Sequence, residues 1–342
     1  MEHENRNVLL SVRDVKQYFP VKKTKLRETQ RYVRANDGIS LDIYAGETLG
    51  LVGESGCGKS TLGRTLLQLY PQTHGQVLYY KDGKEIDLKS LSKEEMRVLR
   101  KDLQLIFQDP YSSLNPRMTV GQIIGEGLVS HGVFNRGDPA MRDYIFQVME
   151  RCGLATYMFG RYPHQFSGGQ RQRIGIARSL ALNPSFVVCD EAVSALDVSI
   201  QSQILNLLSD LKEKQNLTYL FITHDLSVVK YISDRIGVMY LGNLVELAPA
   251  QELFDHPRHP YTEALMAAIP TTDVDSPREM RILEGDIPSP VNPPAGCKFH
   301  TRCRYCTEIC EHAVPDWTQV GPNHFVACHH MLGAQDEAKA GD

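Results

Sequence analysis

Alternating apolar and polar positions mark the first part of the chain. The runs LLSVRDVKQYF, ETLGLVG and GQVLYY read as short strands separated by turns, and Asp82-Gly83 supplies a hairpin signal after the third. From about residue 89 to 182 the pattern becomes mostly helical. YIFQVMERCGL carries apolar residues at helical spacing, and QRQRIGIARSLAL sets Ile174, Ala177 and Ala181 on one face. Two β-rich runs, SFVVCD and LTYLFITHD, then flank the helical SIQSQILNLLSDLKEK. Such a βαβ unit predicts a parallel sheet with helices on its faces. A last helical stretch, PYTEALMAAI, gives way to the proline-rich GDIPSPVNPPAG, and the chain ends in the polar GAQDEAKAGD, whose composition predicts disorder. There is no internal repeat.

Composition narrows the picture. The 342 residues, 42% hydrophobic and 23% charged, suit a globular protein of one large domain with an appendage, or two modest domains. A net charge of −4 carries no general nucleic-acid signature, and the basic VKKTKLRETQRYVR reads as a solvated loop. The opening MEHENRNVLL has acids and no apolar core, so it does not read as a secretory signal. No run approaches the roughly eighteen apolar residues of a bilayer span, so work at a membrane would require another subunit to hold the chain there. Five of the eight cysteines cluster near the C-terminus (Cys297, Cys303, Cys306, Cys310 and Cys328). In a reducing compartment such clustering suggests a metal site rather than a disulfide framework.

The chemistry begins in GLVGESGCGKST. An apolar strand runs into Gly53, Glu54, Ser55, Gly56, Cys57, Gly58, Lys59 and Ser60, the pattern G-x-x-x-x-G-K-[ST]. Its glycines let backbone N–H groups wrap phosphate oxygens, and the following helix aims its positive end at them. Lys59 would reach the β- and γ-phosphates of ATP, and Ser60 would offer an oxygen to Mg²⁺; Thr61 continues the ATP-binding stretch. In SFVVCDEAVSALD a second strand ends in Asp190-Glu191, at the strand end that faces the ligand crevice in α/β sheets. Asp190 suits Mg²⁺ binding, and Glu191 suits a base or orienting group for an attacking water.

FSGGQRQR decides the family. It resembles the signature of ATP-binding cassette (ABC) ATPases, with Ser167, Gly168, Gly169 and Gln170 at its centre. The other family motifs appear in order around it: Gln108 as the Q-loop residue, here also assigned to catalysis and Mg²⁺; Asp197 closing the D-loop; and His224 as the switch histidine. Phe19, or less well Tyr18, falls where the family stacks an aromatic on adenine. Phe166 replaces the usual signature leucine and Ala192 the usual proline, and neither change removes a ligand group. The resemblance implies a RecA-like α/β core with an N-terminal antiparallel β subdomain over residues 1–255, and a helical subdomain at about 109–182. It also implies a composite site: the signature of one cassette closes over the ATP of another, so a chain with one cassette must dimerise. A soluble ABC protein of translation or repair is a poorer match, lacking here a second cassette or coiled-coil insertion, and a phosphoryl-transfer kinase would need neither SGGQ nor Gln108.

The rest of the chain resembles ATPase subunits of bacterial dipeptide and oligopeptide importers, specifically the F-type subunit, through FQDPYSSLNPRMTVGQII, HPRHPYTEALMAAIP, LEGDIPSPVNPPAGCKFHTRC and HFVACHH. That implies a second, different ATPase subunit, two transmembrane permeases, an external peptide-binding protein and a place on the cytoplasmic face of the inner membrane. Relatives serving glutathione, nickel or opines leave the cargo open. Residues 256–296 then read as a helix and linker, 297–330 as a metal-binding extension and 331–342 as a tail. The spacing Cys297-x5-Cys303-x2-Cys306-x3-Cys310-x17-Cys328, with His300, His312, His324, His329 and His330 nearby, admits zinc, an iron–sulfur cluster or plain reduced thiols. The resemblance selects Cys297, Cys303, Cys310 and Cys328 as ligands of a 4Fe–4S cluster, with Cys306 a spare and zinc the alternative. So short a segment has little core of its own, and a metal would supply a cross-link.

Overall fold

The structure is a computed structural model that describes residues 7–23, 29–109, 111–268, 283 and 285–333. The expected disordered tail lies outside the described residues from 334 onward, as do parts of the linker and of the basic N-terminal stretch. In chain order β1 (Val8–Pro20), β2 (Tyr32–Tyr44) and β3 (Thr48–Val52) lead into α1 (Lys59–Leu66), followed by β4 (His74–Lys81), β5 (Lys84–Asp87) and α2 (Lys93–Leu99). After β6 (Leu103–Ile106) come α3 (Val120–Ser130), α4 (Pro139–Arg151) and α5 (Gly168–Leu180). Then β7 (Phe186–Asp190), α6 (Val198–Gln215) and β8 (Thr218–Ile222) form the expected βαβ unit. The chain closes through α7 (Leu226–Ile232), β9 (Arg235–Tyr240), β10 (Asn243–Pro249), α8 (Ala250–Asp255), α9 (Pro260–Ala267), α10 (Glu308–His312), β11 (Trp317–Gly321) and β12 (His324–Ala327).

These elements divide into two compact units. One comprises Met1–Leu10, Ile43–Thr48 and Leu78–Ile222; the other comprises Ser11–Asp42, Leu49–Val77 and Thr223–Asp342. In the first unit β6, β7 and β8 run parallel, with Phe186 opposite Leu103 on one side and Thr218 on the other. Every residue of β7 and β8 is buried, which explains runs without polar alternation. The Asp82-Gly83 turn joins β4 to β5 with both residues at positive φ, the requirement of a type I′ hairpin. Ile174, Ala177 and Ala181 are all buried, as the helical period of α5 predicts. The stretch 89–182 is mostly helical, as expected, with α2 to α5, and the one strand within it, β6, is four residues long, too few for periodicity to separate strand from helix.

In the second unit β3 runs parallel to β9, and β10 pairs antiparallel with β9 on one side and β12 on the other. β12 in turn pairs with β11. The cysteine-rich extension therefore extends this sheet. It also shares the unit's core, since Cys297, Phe299 and Cys310 pack with Val52, Val238, Tyr240, Leu253 and Tyr261. The rings of Tyr240, Tyr261 and Phe299 meet at centroid distances of 4.8 to 5.3 Å. Burying Phe299 alone is worth about 1.5–3 kcal/mol. On β10 the buried carboxylate of Glu246 faces His324 Nε2 at 2.8 Å and accepts from the amides of Arg258 and His259. Each contact satisfies a charge that would be costly to bury alone.

Candidate functional site

The phosphate loop lies in the second unit, between the fully buried β3 and α1. Gly53 adopts φ 148°, and a Cβ there would stand 2.2 Å from the Met239 carbonyl oxygen. Gly58, at φ 104°, would bring a Cβ within 2.0 Å of the Ala35 carbonyl oxygen. Only glycine fits at either place. Gly58 also caps α1 without a side-chain hydrogen bond, so no capping side chain competes for the first amides of the helix. The Lys59 side chain is buried, its Nζ donating to the carbonyls of Gly53 at 2.6 Å and Glu54 at 3.0 Å. Ser55 and Gly56 are exposed at the tip, while burial pushes the Cys57 thiol above its ordinary range. Ser60 and Thr61 follow on the first turn of α1, both half-buried.

Phe19 of β1 is half-buried and meets Tyr70 edge to face at 5.4 Å. Tyr18 is otherwise engaged. Its hydroxyl donates to Asp37, Arg34 lies over its ring at 5.9 Å, and burial raises its pKa to about 12. His224 is exposed, between β8 and the Asp225 cap of α7.

The first unit holds the remaining residues predicted for the nucleotide site. Asp190 ends β7 and is 2% exposed. Glu191 follows at φ 49°, a left-handed conformation that costs a side-chain-bearing residue roughly 1–2 kcal/mol. Its amide donates to the Ile222 carbonyl on β8 at 2.9 Å, while its own carbonyl accepts from the Ser194 amide and hydroxyl. Gln108, 83 residues earlier, donates through Nε2 to Glu191 Oε2 at 2.5 Å. The structure thus brings together two residues that sequence reasoning named separately.

Ser167 caps α5 in a reciprocal box with Gln170: its Oγ accepts from the Gln170 amide and its amide donates to Gln170 Oε1. Gly169 packs so tightly on Ile200 that a Cβ would stand 2.5 Å from that side chain. Tyr111, whose hydroxyl would stand 3.8 Å from a Cβ on Gly168, is 60% exposed, with the Arg171 guanidinium 4.1 Å from its ring centre. Asp197 caps α6, accepting from the Ile200 amide at 3.0 Å.

In the extension, Cys297, Cys303, Cys310 and Cys328 line one small cavity of about 10 Å³ together with His259, Phe299 and His300. Cys306 is not in its wall. Backbone amides point at three of these sulfurs, those of Phe299 and His300 at Cys297, Tyr305 at Cys303 and His330 at Cys328. Burial pushes Cys303 up to about 11 and Cys328 up to about 12, and the neighbouring thiols push the same way. Such a group resists ionisation unless a cation compensates it. Among the described residues, no three His, Cys, Asp or Glu side chains are grouped to hold a metal ion. Sequence reasoning missed the neighbours of Glu54. Its amide donates to Tyr261 Oη at 2.9 Å, and its carboxylate receives both Nη groups of Arg302. No sequence signal links positions so far apart.

The family model described as ABC transporter matches residues 36–194, and that described as the C-terminal region of the oligopeptide/dipeptide transporter matches residues 245–310. The oligopeptide transport ATP-binding protein AppF of Bacillus subtilis (strain 168) is 50% identical over 332 residues, covering 96% of this chain and 99% of AppF. The chain belongs to the ABC transporter ATP-binding proteins of the oligopeptide branch. Within that family, OppF of Salmonella typhimurium, also an oligopeptide transport ATP-binding protein, is 50% identical over 91% of this chain and 93% of its own. Among solved cassettes, cbiO1 from Clostridium perfringens, part of the complex cbiONQ, aligns with a TM-score of 0.60 at 26% identity over 73% of this chain and 91% of its own. The cassette MJ0796, solved as a dimer in a post-hydrolysis state bound to ADP and Pi, aligns with a TM-score of 0.60 at 28% identity over 71% of this chain and 99% of its own. The ABC ATPase fold accounts for the mixed α/β architecture. Among the described residues no helix is long and apolar enough to cross a membrane.

Proposed function

We propose that this chain is the ATP-hydrolysing subunit of a binding-protein-dependent importer of di- and oligopeptides. The observation that carries the chemistry is Glu191, held in a left-handed turn at the end of a buried strand with Gln108 on its carboxylate. Oxygen donors of the Ser60, Asp190 and Gln108 type suit a hard cation, and these residues would hold Mg²⁺. Bound Mg²⁺ neutralises charge on the phosphate oxygens. The loop from Gly53 to Thr61 grips the phosphates, Lys59 meets their charge, and Phe19 stacks on the base. Glu191 orients and deprotonates the attacking water, whose oxygen bonds to the γ-phosphorus as the bridge to ADP breaks. His224 assists from the strand end after β8. Glu191→Gln should nearly abolish phosphate release while keeping ATP affinity, whereas Lys59→Ala should weaken ATP binding itself. Measuring both quantities on both variants tests the assignment; equal loss of binding would defeat it.

The partners follow from the same reading. Ser167 to Gln170 and Asp197 would serve an ATP held by a second, different ATPase subunit. The dimeric cassette MJ0796 supports pairing of two cassettes, and the difference between the two subunits rests on the family resemblance alone. Two permeases and an external peptide-binding protein complete the importer, with this subunit peripheral on the cytoplasmic face of the membrane. For the extension we favour a 4Fe–4S cluster on Cys297, Cys303, Cys310 and Cys328. Convergence of these four thiols on one cavity and the exclusion of Cys306 support it. Zinc on the same four thiols, with Zn–S distances of about 2.3 Å, is the alternative reading. When bound, the cluster supplies a cross-link between segments that β12 and Phe299 already tie to the core.

A further inference from the structure

Arg302 joins the cysteine-rich extension to the phosphate loop. Its Nη1 donates to Glu54 Oε2 at 2.7 Å and its Nη2 to Glu54 Oε1 at 3.1 Å, a two-pronged pair. The Arg302 side chain is 4% exposed and that of Glu54 24%, so water screens the pair weakly. Tyr240 supports the guanidinium from below, with its ring centre 5.9 Å away. The backbone of Glu54 is held as well. The Gly53–Glu54 peptide gives its carbonyl to Lys59 Nζ and its amide to the buried Tyr261 hydroxyl. Three groups of the second unit therefore converge on one loop residue. Two of them, Tyr261 and Arg302, come from the C-terminal part of the chain.

Glu54 poses an electrostatic problem. A carboxylate inside a loop built for a triphosphate repels that ligand unless a cation offsets it. Arg302 is that cation, and the turn His300–Arg302, adjoining Cys303 in the cavity wall, presents it. We propose that Arg302 is a positioning residue for nucleotide binding: it neutralises and holds Glu54, so that the chain's affinity for ATP is set in part by its C-terminal extension. This rests on the reading that the loop binds ATP.

The test is calorimetric titration of the full-length chain with ATP and Mg²⁺. Lys59→Ala, which should lose binding, serves as the control, and a wild type that binds no ATP would remove the ATP reading and this inference with it. Arg302→Met should raise the Kd by about tenfold, because it leaves the carboxylate unpaired beside the phosphates. Arg302→Lys, which keeps the charge but not the fork, should raise it about threefold. The double variant Glu54→Gln/Arg302→Met removes both charges and should recover to within about threefold of wild type. A merely structural ion pair would lower the thermal midpoint of Arg302→Met and leave the Kd of the folded protein unchanged. Wild-type affinity in Arg302→Met or Arg302→Lys, or a double variant as weak as Arg302→Met, overturns the proposal.

Discussion

Glycine at position 58 illustrates how much of the candidate site is decided by single residues. Its φ of 104° and the 2.0 Å approach of a Cβ to the Ala35 carbonyl oxygen leave no room for alanine. Gly58→Ala should cost about 1–3 kcal/mol and weaken ATP binding, read as a thermal midpoint lowered by several degrees together with a raised Kd. Wild-type values for both would show that the loop tolerates a side chain there. Residues of this kind were legible from sequence because their chemistry is contiguous: the spacing from Gly53 to Ser60 implies the loop by itself. Arg302 was not legible. It sits 248 positions from Glu54, and only the pairing of β12 with β10 and the shared aromatic core bring its segment to the loop.

Helix caps belong to the next scale. Asp197, assigned by resemblance to the D-loop, also terminates α6 by accepting from the Ile200 amide. Asp197→Ala should therefore cost about 1 kcal/mol, a midpoint lower by about 2–4 °C, whereas Asp197→Asn, an equally good cap, should leave stability unchanged. An equal drop in both variants would contradict the capping role. Most elements could be anticipated where the apolar period was long or the run fully buried, as in α5, α6, β7 and β8. β6 could not, being four residues long. β11 and β12 escaped notice because they are only five and four residues long, and their strand character arises from β12 pairing with β10 and β11 with β12 rather than from their own composition.

Across the whole molecule, the extension is held by sheet, core and ion pairs before any metal is considered. That makes its metal content separable from its folding. Protein purified anaerobically should be brown and contain iron and sulfide. Cys306→Ser should keep the colour, since that thiol lies outside the cavity wall, and Cys310→Ser should lose it. Stoichiometric zinc without iron would remove the cluster from the account, and bleaching in Cys306→Ser would reassign its ligands.

The pairing of Glu54 with Arg302 also orders events during synthesis. A ribosome adding roughly 5–20 residues per second needs about 12–50 s to travel the 248 positions between them. For that interval the nascent chain carries a complete phosphate-loop motif with an unopposed carboxylate inside it. On the proposed role of Arg302, a growing or truncated polypeptide should bind ATP poorly, and nucleotide should stabilise the product only once its far end has been made.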